Sequence, residues 1–341
     1  QFHHWLPPGH SMKYLTFTDR GQALAERLSQ ALGGQVSRFT PGFSMENWTA
    51  EGFQNREDLV FIGAVGIAVR AIAPHVHSKV TDPAVVAVDE SGTFAVPVLS
   101  GHLGGANDLA RRIAAVCGAI PVVTTATDCR GVFAVDEWTK RQNCTIMNPE
   151  RIKVVSGKLL AGQALVCCSD FPDEGEPPKG VKLAQDGPCD IRLSMTPGEE
   201  AEALWAVPRI GVLGVGCRKG TPQERIEALF QALLSSTGIP TQAIIKVCSL
   251  DLKAQEPGLL AFCAAHGWPL EPFSAQELNQ VQGEFSGSAF VEQTVGVDNV
   301  CERSAVLGSG GKLFCKKIAQ DGVTMALALT DYTPNWRWRD E

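Results

Sequence analysis

At 341 residues, 44% hydrophobic and 20% charged, the chain has an ordinary globular composition and the length for two or three domains. Its net charge of −7 excludes a broad basic surface for nucleic acid, but a few local Arg and Lys could still meet an anionic small molecule. No apolar run is long enough to span a bilayer, so a membrane helix is not expected.

Residues 1–11, with paired histidines and two prolines ahead of Met12, read as an expression leader. From Met12 the rhythm is strand, turn, helix. Strands are expected at 14–18, 59–63, 84–88, 94–99 and 120–125, and helices at 21–32, 66–73 and from Asn107 to Gly118. Such alternation implies a largely parallel sheet with helices on its faces. The middle is less regular: helices at 132–141 and 149–160, a strand at 164–168, and a loop or hairpin rich in Pro, Gly and acid at 170–188. The last third restarts with a strand at 209–215. Thr221, Pro222 and Glu224 then read as an N-cap, a first-turn Pro and a capping-box acid. A strand at 243–248, a helix at 258–266, a second capping box at 274–277 and a helix at 297–307 follow. Two strands, 312–318 and 323–329, are joined by the hairpin signal Gln320-Asp321-Gly322. The expected fold is α/β: two open, mostly parallel-sheet lobes, 12–133 and 207–330, joined by a smaller α+β unit at 134–206, with a tail at 331–341.

Eleven cysteines, odd in number and scattered, with no CxxC pair and no Cys/His quartet, suggest neither a disulfide framework nor a zinc site. Most read as small buried hydrophobes, and a reducing cytoplasm fits. No metal site of the protein's own is expected.

Four segments carry candidate chemistry. The turn with Gly101, His102, Gly104, Gly105 and Asn107 follows a strand and opens a helix, where bare backbone N–H groups can approach an anion and a histidine can move a proton. The bland alternative has His102 satisfying a carbonyl and Asn107 capping the helix, which leaves the glycines unexplained. Gly63 and Gly66, with Arg70 on the helix behind them, form a similar turn for a carboxylate or phosphate, or simply pack a helix on a strand. Thr124, Thr125 and Asp128 end the next strand and could bind a ligand; equally, Thr127 or Asp128 caps the following helix. The stretch from Gly214 through Gly216, Cys217, Arg218 and Lys219 to Gly220 is a second anion-cradle candidate, matching neither the Walker pattern nor the dinucleotide fingerprint. The Cys217 thiol itself reads better as buried than as reactive. Lys253 in 249–256, and Glu302 with Ser304 in 299–305, either line a pocket or serve as surface charges and caps.

Taken in order, FIGAVGIAVRAIAP (61–74), KVTDPAVVAV (79–88), VPVLSGHLGGANDLA (96–110), PVVTTATD (121–128), GVGCRKGT (214–221), SLDLKAQEPGL (249–259) and NVCERSA (299–305) before Lys316-Lys317 resemble the CbiG family of cobalamin biosynthesis, the cobalt-precorrin-5A hydrolases. The series covers 12–329, and the last third also resembles the stand-alone CobE-type domain. The resemblance implies a cobalt-bound, ring-contracted tetrapyrrole substrate whose δ-lactone is opened and whose bridging carbon leaves as acetaldehyde, giving cobalt-precorrin-5B. The cobalt would arrive in the substrate, so no cofactor is required of the protein. His102 would be the base, with Asn107 and Asp128 as further catalytic candidates and Asp108, Asp128 or Glu302 as substitutes for the base, and the N–H groups of Gly104-Gly105 would meet an oxyanion. Arg70, Arg218, Lys219 and Lys253 would meet the substrate's carboxylates. Neighbouring corrin-pathway enzymes would be partners. The alternative is a carrier that shelters the tetrapyrrole without catalysis.

Overall fold

Strand β1, Met12–Thr16, is buried along its length and sits inside a mostly parallel sheet in the computed structural model. The structure describes residues 11–126, 131–185, 187–199, 202–285, 287, 293 and 296–339. The chain divides into two compact units, one running to Glu137 and the other from Trp138.

In the first unit, β1 leads to α1 (Asp19–Leu32), β2 (Gln35–Arg38), α2 (Met45–Gln54), β3 (Asp58–Ile62) and α3 (Val65–Ile72). There follow β4 (Val85–Val88), β5 (Phe94–Leu99), α4 (Ala106–Cys117), β6 (Ile120–Pro121) and the first turn of α5 (Val135–Arg141), which runs on into the second unit; the sheet order is β2-β1-β3-β4-β5-β6. Side chains alternate across a strand. Thus Val60 and Ile62 join Leu24, Leu28, Leu109 and Ile113 on one face, while Leu59 and Phe61 join Trp48, Ala68 and Ile72 on the other. Thr18 caps α1 by accepting from the Gly21 N–H at 3.0 Å, and the helix stops where Gly33 turns to φ +80°.

The direction of β5 departs from the expected plan. β5 pairs antiparallel with β4, Val88 opposite Ala95 and Val85 opposite Leu99, while the other neighbours in this sheet are parallel. The end of β5 therefore lies at the edge where β3 and β4 begin. The turns at Gly63 and Gly101 open on opposite edges of one sheet. Strand β6 is also shorter than the expected 120–125, although beyond Pro121 the Val122 N–H still donates to the Ala95 carbonyl at 2.8 Å.

The second unit opens with β7 (Cys144–Ile146), α6 (Ile152–Leu160), β8 (Leu165–Ser169), β9 (Val181–Ala184), β10 (Ile191–Leu193) and β11 (Leu204–Pro208), in the sheet order β7-β11-β10-β8-β9. The expected loop or hairpin at 170–188 contains β9, and its pairing to β8 is parallel. A tight hairpin cannot join parallel strands, so the Pro- and acid-rich stretch serves as the crossover.

The second sheet of this unit, ordered β14-β13-β12-β16-β15, is built from β12 (Gly211–Cys217), α7 (Gln223–Thr237), β13 (Ile244–Leu250), α8 (Pro257–His266) and β14 (Leu270–Phe273). It continues through α9 (Ala275–Asn279), α10 (Val300–Ser309), β15 (Lys312–Gln320) and β16 (Val323–Leu329). Ile226, Leu229, Phe230 and Leu233 of α7 pack with Phe262 of α8 against Leu213, Val215, Val247 and Met325. The hairpin forms with Asp321 and Gly322 both at positive φ, and the Ser274–Glu277 capping box is present. Two expectations are corrected. Thr221 does not cap α7: its hydroxyl donates to the Arg218 carbonyl, and the extended Pro222 precedes the helix. Gly214 and Gly216 lie inside β12 instead of in a turn. A Cβ on Gly214 would stand 1.8 Å from the Cys301 carbonyl oxygen, so the glycine lets α10 lie directly on the strand.

The chain's last described residues return to the sheet of β7–β11. Trp336 stacks on Trp138 with ring centroids 5.1 Å apart, and the Trp138 indole donates to the Asn335 carbonyl at 2.7 Å. Tyr332 donates to the Gln142 carbonyl at 2.7 Å.

Candidate functional site

The turn after β5 is folded in on itself. Ser100 takes φ +57°, and its hydroxyl donates to the Asp82 carbonyl at 3.1 Å. The N–H groups of Gly105, Ala106 and Asn107 donate to the carbonyls of His102, Ser100 and Gly101 at 2.9, 3.0 and 2.9 Å. Each glycine answers a contact. A Cβ on Gly101 would stand 2.9 Å from the Asn107 amide oxygen, one on Gly104 2.2 Å from the Ser100 Cβ, and Gly105 holds φ +85° ahead of α4. Of the two expected oxyanion donors, Gly105 already uses its N–H within the turn.

Two side-chain pairs organise it. His102 Nδ1 lies 2.9 Å from both carboxylate oxygens of Asp136, in the first turn of α5, and each side chain is only 10% exposed. The Glu137 N–H also donates to Asp136 Oδ1, at 3.1 Å. Asn107 is buried and donates from Nδ2 to Thr125 Oγ1 at 2.9 Å. It sits inside α4 and does not cap it, Gly105 being the N-cap. His102, Asn107, Gly101, Gly104, Gly105 and Thr125 are thus brought together, with the exposed Thr124 adjoining. Asp128 lies outside the described residues.

Gly63, Gly66 and Arg70 stand at the opposite edge of the sheet. Gly63 packs on the Phe17 ring, and the exposed Arg70 guanidinium folds back along its helix to within 3.8 Å of where a Gly66 Cβ would be.

In the second unit, Cys217, Lys253, Glu256 and Gly220 meet where β12 and β13 end. Glu256 accepts the Gly220 N–H at 3.0 Å and lies 3.9 Å from Lys253 Nζ. Burial pushes the Cys217 thiol up; Lys253 pulls it down and Glu256 adds to the rise. A raised thiol is a poor nucleophile, so Cys217 is no activated cysteine. Arg218 is exposed, its stem lying over Gly322. Gly216 faces Thr324 of β16, whose hydroxyl would be 2.6 Å from an added Cβ. Glu302 and Ser304 are instead fully buried. Glu302 accepts from the Lys317 N–H at 2.7 Å and from Asn299 Nδ2 at 2.9 Å, and Ser304 donates to the Cys248 carbonyl at 3.3 Å. Both tie α10 to the sheet.

Asp136 is the site residue that sequence reasoning missed. It lies 34 positions beyond His102, and only its place in the first turn of a helix marked it. Among the described residues, no group of three His, Cys, Asp or Glu is placed to hold a metal ion, and no helix is long and apolar enough to cross a membrane.

Two family profiles match the chain, "Cobalamin synthesis G N-terminal" over residues 47–128 and "Cobalamin synthesis G C-terminus" over 211–328. The chain is 33% identical over 356 residues to a cobalt-precorrin-5A hydrolase of Salmonella typhimurium, covering 94% of this chain and 97% of that one. It is 28% identical over 340 residues to the cobalt-precorrin-5A hydrolase of Priestia megaterium, covering 94% and 88%. A shorter relative, protein CobE of a Sinorhizobium species, is 32% identical over 120 residues, or 34% of this chain and 78% of that one. The His102 turn falls in the first profile and the Cys217–Lys253 edge in the second. Matched in both parts, and alike along nearly its whole length to a named relative, the chain belongs to the CbiG family of cobalamin biosynthesis.

Proposed function

We infer that this protein is a hydrolase acting on cobalt-precorrin-5A, opening its δ-lactone and releasing acetaldehyde to leave cobalt-precorrin-5B. The likeness to two cobalt-precorrin-5A hydrolases over nearly the full chain carries the reading. The half-buried turn that holds His102 against a carboxylate supplies chemistry suited to it. In this reading His102 takes a proton from water as the water oxygen bonds to the lactone carbonyl carbon. The ring C–O bond then breaks, and the proton passes to the departing alkoxide. The freed hydroxyl loses its proton in the second step, the bond to the macrocycle breaks, and acetaldehyde leaves with the electron pair retained by the macrocycle. Asn107 serves as a polar neighbour of the base, Asp128 is a further candidate catalytic group, and the substrate's carboxylates call for cationic partners. The cobalt belongs to the substrate, the setting is cytoplasmic, and neighbouring corrin-pathway enzymes hand the substrate on. In this reading the domains are 12–133, 134–206 and 207–330.

The test is anaerobic incubation with cobalt-precorrin-5A, trapping any aldehyde, for wild type and His102→Ala. Wild type is expected to release acetaldehyde, and the variant to be slower by about a thousandfold. Equal release from both removes His102 as the base. Tight binding of the tetrapyrrole with no aldehyde from wild type overturns the hydrolase reading in favour of a carrier.

A further inference from the structure

We propose that Asp136 is the positioning residue for His102, fixing the imidazole as the Nδ1–H tautomer so that the lone pair used on water lies on Nε2. The proposal rests on His102 being the base. An ionised carboxylate only accepts hydrogen bonds, so the contact from Nδ1 to both Asp136 oxygens at 2.9 Å requires the proton on Nδ1. The ring's orientation is set with its tautomer, because Asp136 is itself held by the Glu137 N–H and both side chains are nearly buried.

The turn does not need this pair for its shape. Three backbone hydrogen bonds, the Ser100 hydroxyl on the Asp82 carbonyl and the contacts of Gly101 and Gly104 already fix it. Sequestering a carboxylate beside an imidazole costs solvation that a backbone carbonyl partner would not. What the carboxylate adds is chemical. When Nε2 takes the water proton, the ring becomes a cation, and Asp136 stabilises it without taking the proton itself. When the alkoxide leaves, Nε2–H returns the proton and the ring is neutral again. Asp136 acts through His102 in this cycle.

Two readouts test this. The first uses protein labelled with 15N in its histidines, with no substrate present. The His102 signal, assigned by its loss in His102→Gln, should show the proton on Nδ1 in wild type and on Nε2 in Asp136→Asn. A wild-type ring protonated on Nε2 overturns the proposal, whatever the protein's reaction proves to be. The second readout is acetaldehyde release. Asp136→Asn should lower kcat about 100- to 10,000-fold with KM changed less than about threefold. The double variant with His102→Ala should be no slower than His102→Ala alone. An Asp136→Asn protein that melts like wild type and keeps kcat within about twofold refutes the role. If wild-type protein releases no acetaldehyde, the hydrolase reading fails while the tautomer measurement still decides the role of Asp136.

Discussion

Replacing Gly214 by Ala distinguishes a packing glycine from a ligand-cradling one. The new methyl carbon would sit 1.8 Å from the Cys301 carbonyl oxygen and 2.9 Å from the Ala305 Cβ. Real Cβ contacts begin near 3.0 Å, so α10 must move away by about 1.2 Å, since a close-packed interior offers no slack. That displacement would stretch Ser304 to Cys248, now 3.3 Å, and Glu302 to the Lys317 N–H, now 2.7 Å. Overpacking of this kind costs about 3 kcal/mol, which in a unit of this size lowers Tm by about 6–12 °C. The control is Gly157→Ala, on the exposed side of α6 with nothing within 4 Å of the new atom. It should raise Tm by about 2 °C. Calorimetric scans of the three proteins decide the matter. A Gly214→Ala protein melting within about 1 °C of wild type would refute the packing argument and return Gly214 to the list of ligand contacts.

Two other outcomes follow from buried groups. Burial pushes the thiols of Cys144, Cys248 and Cys301 up to about 12. A raised thiol holds its proton, so at pH 8 roughly one in ten thousand is thiolate, against about a quarter for an ordinary cysteine. Iodoacetamide should therefore leave all three unlabelled in native protein and label them in urea, as read by peptide mass spectrometry; labelling of any one at the rate of a free peptide refutes the burial argument. Asn299→Ala removes both the acceptor for the Glu302 N–H and the donor to its carboxylate, each at 2.9 Å. It should cost about 2–4 kcal/mol in urea unfolding, and a loss below about 1 kcal/mol would mean that Glu302 is satisfied without it.

The strands were legible where burial on both faces leaves a continuous apolar run, as at Leu59–Ile62 and Val85–Val88. The helices were legible where caps and glycines frame them, as at Ser274 and Gly238. Strand β2 was not: Gln35, Ser37 and Arg38 surround a single Val on a half-exposed edge. The reversal of β5 could have been seen, because five residues, Asp89 to Thr93, are too few to carry a parallel crossover. Asp89 closes that link by accepting the N–H groups of Ser91, Thr93 and Phe94. The His102 turn stood out because its glycines, histidine and asparagine are contiguous. Asp136 and the Gly214–Cys301 contact were hidden, since each joins residues far apart in the chain and local pattern carries no record of such meetings.

The return of the last residues to Trp138 has a consequence in time. Their hydrogen bond spans 197 positions, and at ordinary rates of synthesis, about 5–20 residues per second, Trp138 emerges roughly 10–40 s before Asn335 exists. During that interval the Trp138 ring lacks the stack of Trp336 and the Gln142 carbonyl lacks the Tyr332 hydroxyl, while the sheet of β12–β16 is still being made. The sheet made earlier is therefore completed last. Its final packing waits on the segment that follows β16, and until then this part of the nascent chain stays open to proteases and chaperones.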